Sequence, residues 1–235
     1  MGSTRMPGKV MLKACGRTML GHVLSRVSAC SVVDEIIVAT TKKEEDDVIV
    51  KECDCWGVRY YRGDELNVLQ RYYEAALEAK TDTVVRVTSD CPVIDPDILS
   101  ELIGRFYSEN TAPKTTDYMR NEMYPLGLNA EIFTFAALEK SYREASKDYE
   151  FEHVTPYIYL HPEQFVIKSI MSAIDYTSYR WTLDTKEDYE LIGKIFSYLY
   201  EENALFGMKD ILRLMDQFPE LKQINSHIRQ KRLGE

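Results

Sequence analysis

Thr83-Val84-Val85-Arg86-Val87-Thr88-Ser89-Asp90-Cys91-Pro92 is the stretch on which the fold turns. A run dominated by β-branched residues ends in Ser, Asp and Pro, so 83–88 predicts a buried strand with a carboxylate just past its carboxyl end. Upstream, 68–79 places Leu69, Tyr72, Tyr73 and Ala76 on one helical face. Downstream, Asp95 and Pro96 read as the N-cap and first residue of a helix that buries Ile98, Leu99, Leu102 and Ile103. Earlier still, helical periods over 19–27 and 45–55 alternate with short strands over 35–40 and 58–61, the last closed by Arg62-Gly63-Asp64. That alternation predicts an α/β domain with its chemistry on loops at strand carboxyl ends.

The second half is less regular. Strands are expected over 129–135, 165–170 and 179–183, and helices over 136–145, 152–160 and 186–201. From 208 to 232 the period is helical with a break at Pro219, ending in Arg229-Gln230-Lys231-Arg232. No internal repeat or long linker interrupts the chain. The simplest division is one domain over 1–203 and a C-terminal helical tail over 204–235.

Composition narrows the function. The 235 residues are 45% hydrophobic and 29% charged, which excludes wholesale disorder and collagen-like repeats. No stretch approaches the roughly 18 consecutive apolar residues of a membrane span. The formal charge of −9 disfavours broad nucleic-acid binding while leaving room for a local basic pocket. Five cysteines lack the even, dense pattern of a secreted disulfide scaffold, and no apolar signal core opens the chain, so a cytoplasmic location is expected.

Three features carry chemistry. In Gly2-Ser3-Thr4-Arg5-Met6-Pro7-Gly8-Lys9 the glycines let backbone N–H groups approach a phosphate, and Arg5 and Lys9 would neutralise it. It is not a Walker A loop: five residues separate the glycines and Val10 follows the lysine. The bland alternative is a frayed end. Gly16-Arg17-Thr18-Met19-Leu20, with Thr18 as an N-cap, argues instead that the loop leads straight into ordered structure. Next, Asp90 and Asp184 both stand where a strand passes to a helix. Each alone reads as a helix N-cap; together, beside a cationic loop, they suit Mg²⁺ shared with substrate phosphates. Finally, Arg71 is by default a solvated arginine, although its place one helical run after Gly63-Asp64 would let it reach a cleft. His153 reads as a structural histidine, His22, His161 and His227 have no ligand spacing, and Cys53 and Cys55 lack a partner pair for zinc. A phosphate loop of this kind should follow a strand, and none precedes this one.

With these residues in view, Ser3 to Val10 followed by Gly16 to Leu20 resembles the opening of the sugar cytidylyltransferases, the CMP-KDO and CMP-acylneuraminate synthetase group. The whole chain is similar to the spore-coat polysaccharide biosynthesis protein F branch. The similarity runs through Val38-Ala39-Thr40-Thr41, Arg62-Gly63, Val68-Leu69-Gln70-Arg71-Tyr72, and Val85 to Pro92. It continues through Gly127-Leu128-Asn129-Ala130-Glu131, Glu152 to Tyr157, Arg180-Trp181-Thr182-Leu183-Asp184-Thr185, and Ile224-Asn225-Ser226-His227.

The resemblance implies a nucleotide-diphospho-sugar transferase (GT-A-like) fold, an α/β/α sandwich with a mixed sheet. It implies CTP on the opening loop at Ser3, Thr4, Arg5 and Lys9, with Arg5 and Lys9 acting in catalysis. Ala39, Thr40 and Thr41 would lie beside base and ribose, and Arg71 and Asp90 near the nucleotide. Asn129, Glu131 and Arg180 would face the sugar acceptor, and Asp90 and Asp184 would hold Mg²⁺. A homodimer is a further expectation, with no nucleic acid or membrane partner. Relatives carry a hydrophobic strand before the opening loop and Gly in place of Ser89. Without that strand, exposed sheet edges and a void are expected. The implied activity is transfer of CMP from CTP to a sugar; the alternatives are glycosyl transfer from a nucleotide sugar, or a non-catalytic binding subunit.

Overall fold

A computed structural model of the chain describes residues 1–3, 5–110, 115–201, 204–230 and 233. After a 3-10 turn over Lys9–Met11, β1 (Lys13–Ala14) and β2 (Arg17–Thr18) form a two-residue hairpin. Cys15 and Gly16 close it, both at positive φ (47° and 81°), the handedness that matches strand twist. Thr18 then caps α1 (Met19–Ser28), its hydroxyl accepting from the Gly21 N–H at 2.9 Å. β3 (Ile37–Thr41) and β4 (Arg59–Gly63) pair in parallel through the crossover helix α2 (Asp47–Trp56). Asn67 caps α3 (Val68–Ala79), which leads to β5 (Thr83–Arg86). Asp95 caps α4 (Pro96–Glu109) by accepting from the Asp97 N–H.

The second half adds β6 (Tyr118–Glu122), β7 (Glu131–Thr134), α5 (Phe135–Glu144), α6 (Asp148–His153), α7 (Pro156–Tyr159) and β8 (Ile167–Met171). It closes with α8 (Lys186–Leu199), α9 (Met208–Gln217) and α10 (Glu220–Gln223). The larger sheet runs β5-β7-β6-β8 and is mixed, since β6 pairs antiparallel with β7 and parallel with β8.

Register divides this sheet between two cores. Val84, Phe133 and Tyr118 are cross-strand partners on one face, buried with Leu69, Ala76, Leu138 and Ile158. Val85, Ile132 and Met119 line the other, packed on Val23 and Val27 of α1 and on Leu99, Leu102 and Phe106 of α4. A period of two on β5–β7 meeting a helix stripe on each side makes an α/β/α sandwich. A third cluster seats Trp181 and Leu183 among Ile192, Ile195, Ile211, Leu214 and Leu221, so the apolar faces of α9 and α10 are part of the core. Among the described residues no helix is long and apolar enough to cross a membrane.

Among the described residues, the β3–β4 pair shares no strand pairing with the four-stranded sheet. Between them lies a cavity of about 540 Å³, lined by the consecutive residues 36–40 of the β3 segment and 83–89 of the β5 segment. Successive residues of a strand point to opposite faces, so a cavity lined by every residue lies along the strand edges. Val23, Leu24 and Val27 of α1 and Ile103 of α4 are among its walls, as are Val68, Tyr72 and Ala76 of α3. The slot therefore has the setting of a strand covered on both faces, where near-continuous apolar runs are found.

Local differences from the sequence reading are informative. The 179–183 segment is extended but forms a single bridge, Leu126 to Arg180, because its backbone is shared between two neighbours: Leu126 pairs with Tyr179 and Trp181, while the Leu183 N–H turns to the Asp90 carbonyl. β6 carries little apolar alternation: Arg120 and Glu122 pair with each other, and Asn121 turns inward to bond Leu128 O and the Ala130 N–H. The expected helix over 152–160 is broken at Val154, which adopts φ 73°. The helical period after Pro219 stops at Gln223.

His22, 2% exposed, places Nε2 2.9 Å from Ala14 O and stacks on Phe196. Burial pushes its pKa down to about 4. From an ordinary value near 6.5, the unfolded chain takes up the proton before the folded chain does. This group's contribution therefore falls as pH drops through that window, by roughly 3 kcal/mol. Urea melts of His22→Gln should show a flatter stability profile between those pH values than the parent chain. An unchanged slope would rule out His22 as its source.

Candidate active site

Two loops are stitched together to build the site. Past β5, the Asp90 carbonyl accepts from the Leu183 N–H at 2.8 Å and from Thr182 Oγ1 at 3.1 Å. This holds the segment before α8 against the loop after β5. Neither aspartate is spent as a helix cap. Asp95 caps α4, and Thr185 caps α8 with Asp188 completing the capping box. Their carboxylates converge on one cation: Lys9 Nζ lies 2.9 Å from Asp90 Oδ2 and 2.8 Å from Asp184 Oδ1. Arg5 Nη2 and Arg180 Nη2 each reach Asp184 Oδ2 at 3.0 Å.

The electrostatics follow from this packing. Burial alone would depress Lys9, but the Asp90 and Asp184 carboxylates outweigh it and hold the ammonium above its ordinary pKa. Burial alone would raise Asp184, but Lys9, then Arg5 and Arg180, hold it below the usual carboxylate range. A carboxylate pair that already shares one cation fits a hard divalent ion. Among the described residues no group of three or more His, Cys, Asp or Glu has metal-binding placement, so remaining ligands would come from substrate oxygens and water.

Arg180 faces this acid pair. Its Nε and Nη2 donate to the two oxygens of Asp188, both at 2.8 Å, and Nη1 donates to Gln230 Oε1 at 2.6 Å. Asn225, 3% exposed, donates to Arg180 O at 2.9 Å and Asp188 Oδ1 at 2.8 Å. Sequence reasoning assigned no role to Asp188, Asn225 or Gln230. The available signal was Thr185 followed three residues later by an acid, the spacing of a capping box.

The other expected residues are distributed as follows. Ser3 Oγ accepts from the Met6 N–H at 3.3 Å, and the Met1 carbonyl accepts from the Ser3 and Gly8 N–H groups, folding the opening loop back on itself. Thr4 lies outside the described residues. Ala39, Thr40 and Arg71 line the cavity between the sheets, as does Ser89. Thr40 and Thr41 hydroxyls donate to Asp46 Oδ2 at 2.8 and 2.6 Å, and the Met1 ammonium pairs with the same carboxylate. Arg71 Nη1 donates to the Asp64 and Glu65 carbonyls. Its stem crosses Gly63, where a Cβ would stand 2.4 Å from Arg71 Cγ. Glu131 belongs to another cluster: Arg86 Nη1 donates to Oε2, while Tyr118 and Thr155 hydroxyls donate to Oε1. Asn129 Oδ1 is buried without a partner, and so is Arg86 Nε.

Gly127 fixes the approach of the Arg180–Asp184 segment. At φ 107°, its absent Cβ would meet Trp181 C and O at 2.5 Å and Thr182 N at 2.7 Å, all main-chain atoms. Gly127→Ala is therefore expected to displace this segment, costing about 2–4 kcal/mol of stability together with activity. Denaturant melts check the first; a variant as stable as its parent would contradict the close approach.

Comparison with known proteins agrees with this arrangement. The cytidylyltransferase family model matches residues 1–230. An uncharacterized protein of Methanocaldococcus jannaschii is 36% identical over 232 residues, 98% of this chain and 93% of that one. The spore coat polysaccharide biosynthesis protein SpsF of Bacillus subtilis is 30% identical over 227 residues, covering 94% of this chain and 92% of SpsF. A solved cytidylyltransferase structure from Leptospira borgpetersenii superposes with a TM-score of 0.89 at 31% identity, covering 99% of this chain and 95% of that one. The sandwich is thus the nucleotidyltransferase fold, and with the match spanning nearly the whole chain, this protein belongs to the cytidylyltransferase family.

Proposed function

We propose that this protein transfers CMP from CTP to a sugar and releases pyrophosphate. The observation that carries the reading is the convergence of Asp90 and Asp184 on one cation beside the Arg5–Lys9 loop. A sugar hydroxyl, giving up its proton to solvent, or an ionised sugar phosphate oxygen attacks the α-phosphorus in line; the bond from that phosphorus to the oxygen bridging to the β-phosphate breaks, and pyrophosphate departs with that oxygen. Asp90 and Asp184 would hold Mg²⁺, which supplies Lewis-acid stabilisation of phosphate oxygens when bound. Arg5 and Lys9 neutralise the triphosphate and the departing pyrophosphate. Arg180, oriented by Asp188 and Asn225, holds Asp184 in place.

On the nucleotide side, Ser3 shapes the phosphate loop, and Ala39, Thr40, Thr41 and Arg71 border base and ribose. On the acceptor side, the free Asn129 carbonyl oxygen is suited to accept from a sugar hydroxyl. Polysaccharide synthesis, named in SpsF, is the process we assign.

The test is pyrophosphate release with CTP, Mg²⁺ and a panel of nonulosonic acids and sugar phosphates. CTP-dependent release in step with a CMP-sugar product is the expected result. Release of a nucleoside phosphate or diphosphate from a nucleotide sugar would replace this reading with glycosyl transfer.

A further inference from the structure

We infer that Lys9 is a resident cation that keeps a divalent ion out of the Asp90–Asp184 pair until a nucleoside triphosphate draws its ammonium away. The inference rests on the proposed metal-ligand role of the two aspartates and adds an order to what binds there. Lys9 Nζ sits within hydrogen-bond distance of one oxygen from each carboxylate, at 2.9 and 2.8 Å, in the position a shared ion would need. Its side chain is 13% exposed, so this is an inside contact and not a surface pair.

Charge balance gives the reason. Arg5, Lys9 and Arg180 face Asp90, Asp184 and Asp188, three cations against three carboxylates, bound to one another throughout. A divalent ion added alone would leave this partly buried cluster with two excess positive charges and an ammonium at contact distance. Like charges at that distance repel strongly in a partly buried setting, where water screens them less than in bulk. A triphosphate added alone would bring its charge against the same two carboxylates. Ion and triphosphate together offset part of each other's charge, and the triphosphate gives the Lys9 ammonium new anionic partners, so Lys9 can move from carboxylate to phosphate oxygen as the ion takes its place.

The backbone allows that movement. The Met11 N–H donates to Gly8 O at 2.9 Å and the Leu12 N–H to Lys9 O at 3.2 Å, pinning the turn. The long side chain can then swing by rotamer changes alone. By linkage, metal and nucleotide must each raise the other's affinity by the same factor.

The experiment is titration with Mn²⁺ as the probe, followed by electron paramagnetic resonance, on the full chain with and without CTP. For the parent protein, CTP should tighten Mn²⁺ binding at least about tenfold. Lys9→Met, neutral and similar in length, should bind Mn²⁺ without nucleotide about tenfold more tightly than the parent, and gain less from CTP. Lys9→Gln repeats the reading through a second neutral side chain, and Lys9→Arg should stay weak because it keeps the charge. Neutral variants that bind Mn²⁺ no more tightly than the parent would overturn the inference. Adding Asp184→Asn to Lys9→Met separates the two levels: if nucleotide-free Mn²⁺ affinity is unmoved by it, the metal-ligand reading itself is wrong and the inference falls with it.

Discussion

Asp184→Asn is expected to lower kcat by about a hundredfold or more while leaving a folded protein. The first part follows from losing one of the two proposed anionic oxygen ligands where phosphate charge develops, an effect of several kcal/mol in comparable sites. The second follows from the contacts. Lys9 keeps Asp90 and Arg180 keeps Asp188 when Asp184 loses its charge, so only Arg5 is left without a described carboxylate partner, and its side chain is 32% exposed. Asparagine also preserves the shape. Circular dichroism melts close to the parent's, with pyrophosphate release reduced by two orders of magnitude, are the expected pair of results. Retention of a tenth or more of the activity would detach Asp184 from the chemistry.

The second large effect concerns the slot between the sheets. A run of six valine and isoleucine residues placed ahead of Met1 is expected to raise Tm by on the order of 10 °C. The Met1 ammonium pairs with Asp46, whose carboxylate binds Thr40 and Thr41 at the carboxyl end of β3. A segment entering Met1 from the slot would therefore run parallel to β3, with sheet edges on either side. Six buried aliphatic side chains contribute roughly 1.5–3 kcal/mol each, offset by about 1–2 kcal/mol per residue of ordering. A net gain of a few kcal/mol shifts Tm by about 2–4 °C per kcal/mol in a chain of this size. An extension of six serine and glycine residues is the control. Equal melting temperatures for the two would show that the slot accepts no strand, and hydrogen exchange at β3 and β5 amides would locate any gain.

What the sequence made legible follows from where local signals agree with tertiary ones. α3 was readable to both ends, because an apolar stripe coincides with the Asn67 cap and the turn after Ala79. Asp95 and Pro96 marked α4 just as plainly. β6 was silent: Arg120 and Glu122 neutralise each other, and Asn121 is buried through hydrogen bonds that only the fold supplies. The acid pair showed itself as two carboxylates at strand-to-helix passages. That Lys9 would lie between them, or that Asn225 would arrive from the carboxyl end to brace Arg180, depends on contacts between residues 175 and 45 positions apart. Arg180 and Glu131 illustrate the same limit. Both are polar residues in shared sequence blocks, yet their charged groups are occupied by Asp184 and Asp188 in one case and by Arg86, Tyr118 and Thr155 in the other.

In the proposed reaction Asp90 and Asp184 together hold the ion that meets the triphosphate. Crystals grown with Mn²⁺ and CTP, measured for anomalous scattering, address it most directly. The expected result is a peak within about 2.0–2.3 Å of one oxygen from each aspartate and of phosphate oxygens, with Lys9 Nζ moved onto the triphosphate. A peak coordinated by phosphate and water alone, with Lys9 still bridging the two carboxylates, would contradict it.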